Sequence, residues 1–143
     1  DSARECVLVE ANNKKASFMR EVVETLELND VSVLEGRFEE MLACGELEAG
    51  SVHILTSRAW TGWNGLLGLG ASLMVPGGRA VVFVGEETLR ALRRYLSAGA
   101  LDVLATPDPE WAPAVHAGWT IRRILTLPHL DKGYAVSLEI PPD

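Results

Sequence analysis

The sequence predicts a doubly wound α/β domain that ends in an antiparallel β-hairpin. Short apolar runs of strand length alternate with segments of helical periodicity as far as residue 97. The run at 79–84 is almost wholly apolar, as expected of a strand buried on both faces of a parallel sheet. Two β-type runs, 120–127 and 134–140, close the chain. We predict a single domain over residues 1–143, a length typical of one domain.

The first half of the chain alternates strand and helix. An apolar run at 6–9 predicts a strand, and Asn12 and Asn13 after it are good N-cap residues. Apolar residues then recur at helical spacing over 14–28, and Asn29-Asp30 ends this helix. The next elements are a strand at 31–34, a short helix at 38–43, a loop at 45–51 and a strand at 52–56.

The second half of the chain continues to alternate helix and strand as far as residue 97, and a proline-containing segment follows. A helix rich in small residues is predicted over 63–74, and it stops before Pro76-Gly77-Gly78, a turn signal ahead of the strand at 79–84. The helix predicted at 86–97 has acidic residues in its first turn and arginines further on, which suits the helix dipole. Residues 98–118 hold three prolines and predict a loop or a ragged helix.

Composition excludes several classes of protein. With 48% hydrophobic and 23% charged residues, the chain is expected to bury a core, and no apolar run has the length of a membrane span. Two cysteines without metal-ligand spacing favour a reducing cytoplasm and no metal site. The net charge of −7 comes wholly from residues 1–50, so nucleic acid would have to be met by local basic patches.

Four segments carry a family resemblance, and they occur in the right order: Val7-Leu8-Val9-Glu10 with Asn13–Val22, Gly36–Glu40, Thr56–Ala59 and Pro76–Arg79. Together they resemble the RsmG/GidB family, bacterial 16S rRNA guanine-N7 methyltransferases. The resemblance covers residues 1 to about 97 well and the terminal hairpin more loosely. It implies a Rossmann-like class I methyltransferase fold, S-adenosylmethionine (SAM) as cofactor, and 16S rRNA or the small ribosomal subunit as partner.

The resemblance also implies that one strand is missing. The family's sheet, in the order 3-2-1-4-5-7-6, opens with a central strand and a Gly-rich turn, and this chain begins at the second strand. We therefore expect an incomplete domain with two unpaired edges, which would be prone to self-association. The glycines of 62–70 do not replace that turn, because they lie in a helical pattern and suit close helix packing.

The chemistry that the resemblance implies needs no catalytic acid or base. Guanine N7 carries a free lone pair, so methyl transfer requires no prior deprotonation. The enzyme has to hold the methyl donor and N7 close and in line, which is catalysis by orientation. We therefore assign no catalytic residue and no metal ligand.

Four residues are candidates for cofactor binding. Glu10, at the carboxyl end of a strand, matches the acidic residue that accepts the ribose hydroxyls of SAM; the alternative is an ordinary exposed glutamate. Phe38 and Glu39 match the family's adenine-contacting pair, although Phe38 could equally serve the core. Arg58 could meet the carboxylate of SAM or the RNA, or form a surface ion pair.

Three further residues are candidates for RNA binding. Arg37 could contact a phosphate or cap a helix. Trp60 and Trp63 could stack on a base or simply be buried. Departures from the family also occur, since Val84 and Gly133 stand where the family has basic residues.

We expect a SAM-dependent methyltransferase that acts on N7 of a guanine in 16S rRNA. Two alternatives remain open. One is a related methyltransferase with a different substrate, and the other is a divergent non-catalytic remnant that binds RNA or a partner chain.

Overall fold

The computed structural model describes residues 4–58, 62–97 and 109–143. Contacts divide the chain into two compact units, Asp1–Leu47 and Glu48–Asp143.

The first unit is a β-α-β-α segment with strands β1 (Cys6–Glu10) and β2 (Val31–Glu35) and helices α1 (Asn13–Thr25) and α2 (Phe38–Ala43). The two strands pair in parallel without a bulge, from Cys6 opposite Val31 to Glu10 opposite Glu35. Helix α1 is the crossover that a parallel pair requires, and its Ala16 is fully buried. The predicted order of these four elements is confirmed.

Helix α1 begins and ends at recognisable caps. The Oδ1 atom of Asn12 accepts a hydrogen bond from the backbone N–H of Lys15 at 3.1 Å, as an N-cap should. The helix ends at Thr25 rather than at the predicted residue 28. Glu27 has a left-handed φ of 51°, and the N–H of Leu28 returns to the carbonyl of Val23 at 3.0 Å, which is a Schellman motif.

In its described residues, the second unit is a four-stranded sheet with three α-helices. Its strands run in the spatial order β3-β4-β6-β5; β3 and β4 are parallel, and the other two pairs are antiparallel. The predicted terminal hairpin, β5 with β6, is therefore confirmed. In chain order the elements are β3 (Val52–Arg58), α3 (Trp63–Gly70), β4 (Met74–Gly85), α4 (Glu86–Leu96), α5 (Ala112–His116), β5 (Thr120–Thr126) and β6 (Gly133–Glu139).

The Pro76-Gly77-Gly78 segment lies inside β4, so the predicted turn before residue 79 is wrong. Helix α3 stops at Gly70, and the strand already begins at Met74. Val52 pairs with Met74 and Ile54 with Arg79, so β4 contains a bulge at this point. Gly77 has a φ of 72°, the positive value that its glycine-rich sequence favours, but this conformation serves a bulge that bends the strand and not a turn between elements.

The core of the second unit lies on one face of its sheet. Alternate residues of β4 and β6 are buried there, and α4 covers them with leucines. Trp119 is also buried, and its indole Nε1–H donates to the backbone carbonyl of Leu67 in α3 at 2.8 Å. The buried hydrophobic residues on the sheet and on α4 are Met74, Ala80, Val82, Val84, Val136, Leu138, Leu89, Leu92 and Leu96.

Four strands have an unpaired side among the described residues: β1 and β2 in the first unit, and β3 and β5 in the second. In the first unit β1 pairs on one side only, with β2, and in the second unit β3 pairs on one side only, with β4. The predicted pair of unpaired edges, on β1 and β3, is confirmed.

Candidate functional site

In the first unit, the carboxyl ends of both strands carry a glutamate. Glu10 ends β1, Glu35 ends β2, and the two residues are register partners. The N–H of Gly36 donates to the carbonyl of Glu10 at 3.0 Å, which continues the ladder one residue past β2. Ligands of open α/β sheets bind outside the carboxyl ends of the strands, so this is the edge where a ligand is expected.

Glu10 has one carboxylate oxygen engaged and one available. Its Oε1 atom accepts the backbone N–H of Asn12 at 2.8 Å. Within the described residues Oε2 has no hydrogen-bond partner, and the side chain is half-buried. The hydrogen bond to Oε1 therefore fixes the side chain of Glu10, while its Oε2 atom is available to accept a hydrogen bond from a ligand.

Glu35, by contrast, is fully engaged. Its Oε1 atom accepts from Nδ2 of Asn13 at 3.1 Å, and its Oε2 atom pairs with Nη1 of Arg20 at 3.0 Å. The hydrogen bond from Asn13, and after it the bond from Arg20, hold the pKa of Glu35 below its ordinary value. Sequence reasoning missed this group, although Glu35 closes its strand just as Glu10 does.

The start of α2 follows directly after Glu35 and Gly36. Phe38 is buried, with 6% of its surface exposed, whereas Glu39 is exposed in the first turn. Arg37 occupies the N-cap position but makes no side-chain capping bond, so the capping role considered for it is not observed. Its side chain is exposed.

In the second unit, Arg58 ends β3 opposite Phe83 of β4. Its side chain is exposed, and within the described residues it forms no ion pair. Trp60 lies outside the described residues. For Trp63 only the backbone is described, and it is the first residue of α3.

A basic side chain also reaches the carboxyl end of β4. Gly85 of β4 pairs with Gly133 of β6, and Lys132 precedes Gly133 in the hairpin turn. Its Nζ atom lies 3.3 Å from Oε2 of Glu86, the first residue of α4. Lys132 thus places a positive charge at the carboxyl end of β4, next to Val84 and Gly133, the two positions where the family has basic residues and this chain has none.

The described residues contain no group of three or more His, Cys, Asp or Glu placed to hold a metal ion. None of the described helices combines the length and the apolar composition needed to cross a membrane.

The model of one protein family, GidB, rRNA small subunit methyltransferase G, matches residues 1–102. The chain belongs to the GidB family. Ribosomal RNA small subunit methyltransferase G of Xanthomonas axonopodis pv. citri is 35% identical over 106 residues, which are 72% of this chain and 48% of that protein. The protein of the same name from Stenotrophomonas maltophilia is 44% identical over 71 residues, 50% of this chain and 31% of its own length. This GidB chain therefore spans half or less of the length of these relatives.

Solved structures place the GidB chain in the methyltransferase fold. The Bacillus cereus O-methyltransferase in complex with SAH has a TM-score of 0.61 at 16% identity, covering 97% of this chain and 64% of that one. The Aeropyrum pernix fibrillarin with natively bound S-adenosyl-L-methionine has a TM-score of 0.59 at 12% identity, covering 95% and 55%. The predicted Rossmann-like, class I methyltransferase fold is confirmed.

Proposed function

We propose that the protein containing this chain transfers a methyl group from SAM to N7 of a guanine in 16S rRNA, in the cytoplasm. Its GidB-type sequence supports the proposal. The structural observation that carries it is Glu10, an anchored carboxylate with a free oxygen at the carboxyl end of β1. A carboxylate in that place is suited to accept two neighbouring hydroxyl donors, as a ribose presents.

The donor set of the first unit fits the adenosine part of SAM. Glu10 would hold the ribose, and the segment that begins at Phe38 and Glu39 would contact adenine through backbone groups and the first turn of α2. In the second unit, Arg58 is exposed and free of ion pairs among the described residues, and its family match alone supports it as a partner for the carboxylate of SAM or for the RNA. A guanidinium is the natural partner of a carboxylate.

The residues of this chain then act by binding and orientation. Bound SAM supplies a methyl group on a positively charged sulfur, and guanine N7 supplies its own lone pair, so no side chain has to accept a proton. Arg37, Trp60 and Trp63 are proposed to hold the RNA, the arginine through phosphate and the indoles by stacking on bases. The proposal includes self-association of the isolated chain through the free edges of β1 and β3.

The first test measures SAM binding to the full-length protein by calorimetry. We expect Glu10→Ala to weaken binding roughly 10- to 100-fold, because each hydrogen bond to a charged acceptor contributes about 1.5–3 kcal/mol. Glu21→Ala is the matched control, since Glu21 is exposed on α1 and makes no side-chain bond within the described residues. Absence of SAM binding to a folded full-length protein would overturn the assignment as a methyltransferase.

The second test identifies the substrate. 16S rRNA from a strain that lacks the gene should contain one guanine without its N7-methyl group, and the wild-type gene should restore the methyl group while the Glu10→Ala gene should not. SAM binding together with unchanged 16S rRNA in the deletion strain would point to a methyltransferase with another substrate.

A further inference from the structure

Two glutamates lie next to each other at the carboxyl ends of the two strands of the first unit. Glu10 and Glu35 are register partners at the ends of adjacent parallel strands. Neighbouring strands lie about 4.8 Å apart, so two unpaired carboxylates here would repel each other. One of the two carboxylates therefore needs its own hydrogen-bond donors or a positive charge if the other is to keep a fixed orientation.

Helix α1 supplies the groups that separate the two carboxylates. The backbone N–H of Asn12, at the cap, donates to Glu10 at 2.8 Å, and the side chain of Asn13, the next residue, donates to Glu35 at 3.1 Å. Arg20, seven residues further along the helix, adds the only positive charge on Glu35 in the described part of the chain, at 3.0 Å. Each carboxylate thus has its own partners on one helix.

The contacts of Glu35 leave its neighbour free for a ligand. Both oxygens of Glu35 are bonded to α1, whereas Oε2 of Glu10 has no partner among the described residues. Glu35 also immediately precedes Gly36, whose N–H donates to the carbonyl of Glu10 at 3.0 Å. A change in the position of Glu35 would therefore affect Glu10 in two ways, by electrostatic repulsion between the carboxylates and through the backbone hydrogen bond of Gly36.

We infer that Arg20 is a positioning residue of the adenosine site: by pairing with Glu35 it keeps a second free carboxylate away from Glu10 and so preserves the bond between Asn12 and Glu10. The inference rests on the proposed function, because it takes the ribose of SAM as the ligand of Glu10. It adds a residue that makes no contact with the proposed ligand itself.

The experiment compares Arg20→Leu, Glu35→Gln and the double variant in the full-length protein, with adenosine and S-adenosylhomocysteine as probes in calorimetry. Arg20→Leu should weaken binding roughly two- to fivefold, the range expected of a half-exposed charge pair, and less at high salt. The double variant should bind within about twofold of wild type, since glutamine removes the repulsion. Lys15→Leu, which removes another exposed cation from α1, is the control and should change nothing.

A readout without ligand separates this inference from the proposed function. Hydrogen exchange of the Asn12 amide, followed by NMR, should accelerate about two- to tenfold in Arg20→Leu and return to the wild-type rate in the double variant. If Arg20→Leu and the double variant lost the same amount of probe affinity, the inference would be overturned, because the ion pair would then act only by stabilising the fold. An unchanged Arg20→Leu variant would overturn it as well. If the amide responds as expected but the wild type binds neither probe, the positioning of Glu10 stands and the proposed function fails.

Discussion

At the scale of single residues, Glu139 in β6 is shared by arginines from two neighbouring strands. Nε of Arg79 in β4 lies 3.3 Å from its Oε2 atom, and Nη2 of Arg122 in β5 lies 2.8 Å from its Oε1 atom. The hydrogen bond from Arg122 is the main cause that holds the pKa of Glu139 below its ordinary value. The carboxylate thereby joins three strands of one sheet.

This cluster predicts a pH dependence of stability. Because the pKa of Glu139 is lower in the folded than in the unfolded chain, its contribution is fully present above the ordinary glutamate pKa, about 4.3. It is lost as the pH falls through the lower folded pKa. The difference in free energy of unfolding between wild type and Glu139→Gln, from urea titrations, should therefore be larger at neutral pH than in acid. Glu24→Gln, which removes an exposed glutamate of α1, should show no such change, and a difference for Glu139→Gln that is independent of pH would contradict the prediction.

At the scale of elements, α3 approaches α5 at a glycine. A Cβ atom on Gly68 would lie 2.7 Å from Cβ of Pro113, closer than such atoms come in real structures. Gly65, one turn earlier in the same helix, has open space around its Cα–H bonds. The interpretation of the small residues of 62–70 as helix-packing residues is confirmed at Gly68.

Two glycine substitutions should therefore shift stability in opposite directions. Gly68→Ala should lower the free energy of unfolding by about 1–3 kcal/mol, because the rigid proline ring cannot move aside. Gly65→Ala should raise it by up to about 1 kcal/mol, because alanine is the better helix former and meets no neighbour. Chemical denaturation measures both, and a stabilising Gly68→Ala would show that α5 is free to move away.

At the scale of the whole molecule, the proposed self-association predicts the effect of a charge on β3. Ile54 is 63% exposed on this strand. Ile54→Lys in the 143-residue chain should reduce association, because lysine on an edge strand opposes pairing between strands. Leu130→Lys is the matched control, since Leu130 is 59% exposed but lies in the turn between β5 and β6. Sedimentation velocity at several concentrations measures both, and equal effects of the two lysines would contradict pairing at β3.

Local patterns in the sequence were sufficient for most of the secondary structure. Strand-length apolar runs, the N-cap at Asn12 and the apolar strand at 79–84 all act within a few residues, and they predicted the order of the elements correctly. The Pro76-Gly77-Gly78 segment was misread because a glycine with positive φ serves a turn and a bulge equally well. Only the pairing of β4 with β3 distinguishes the two.

The sequence by itself determined the alternation of strands and helices, the family, and Glu10 as the residue that closes β1. Tertiary structure alone decided the partners of the charges at the strand ends. Arg20 is 15 residues from Glu35, and Arg79 is 60 residues from Glu139. Periodicity and capping signals relate residues that are only about three or four positions apart, so no local pattern encodes such pairs. The register of the strands and the crossover through a helix bring these charges together.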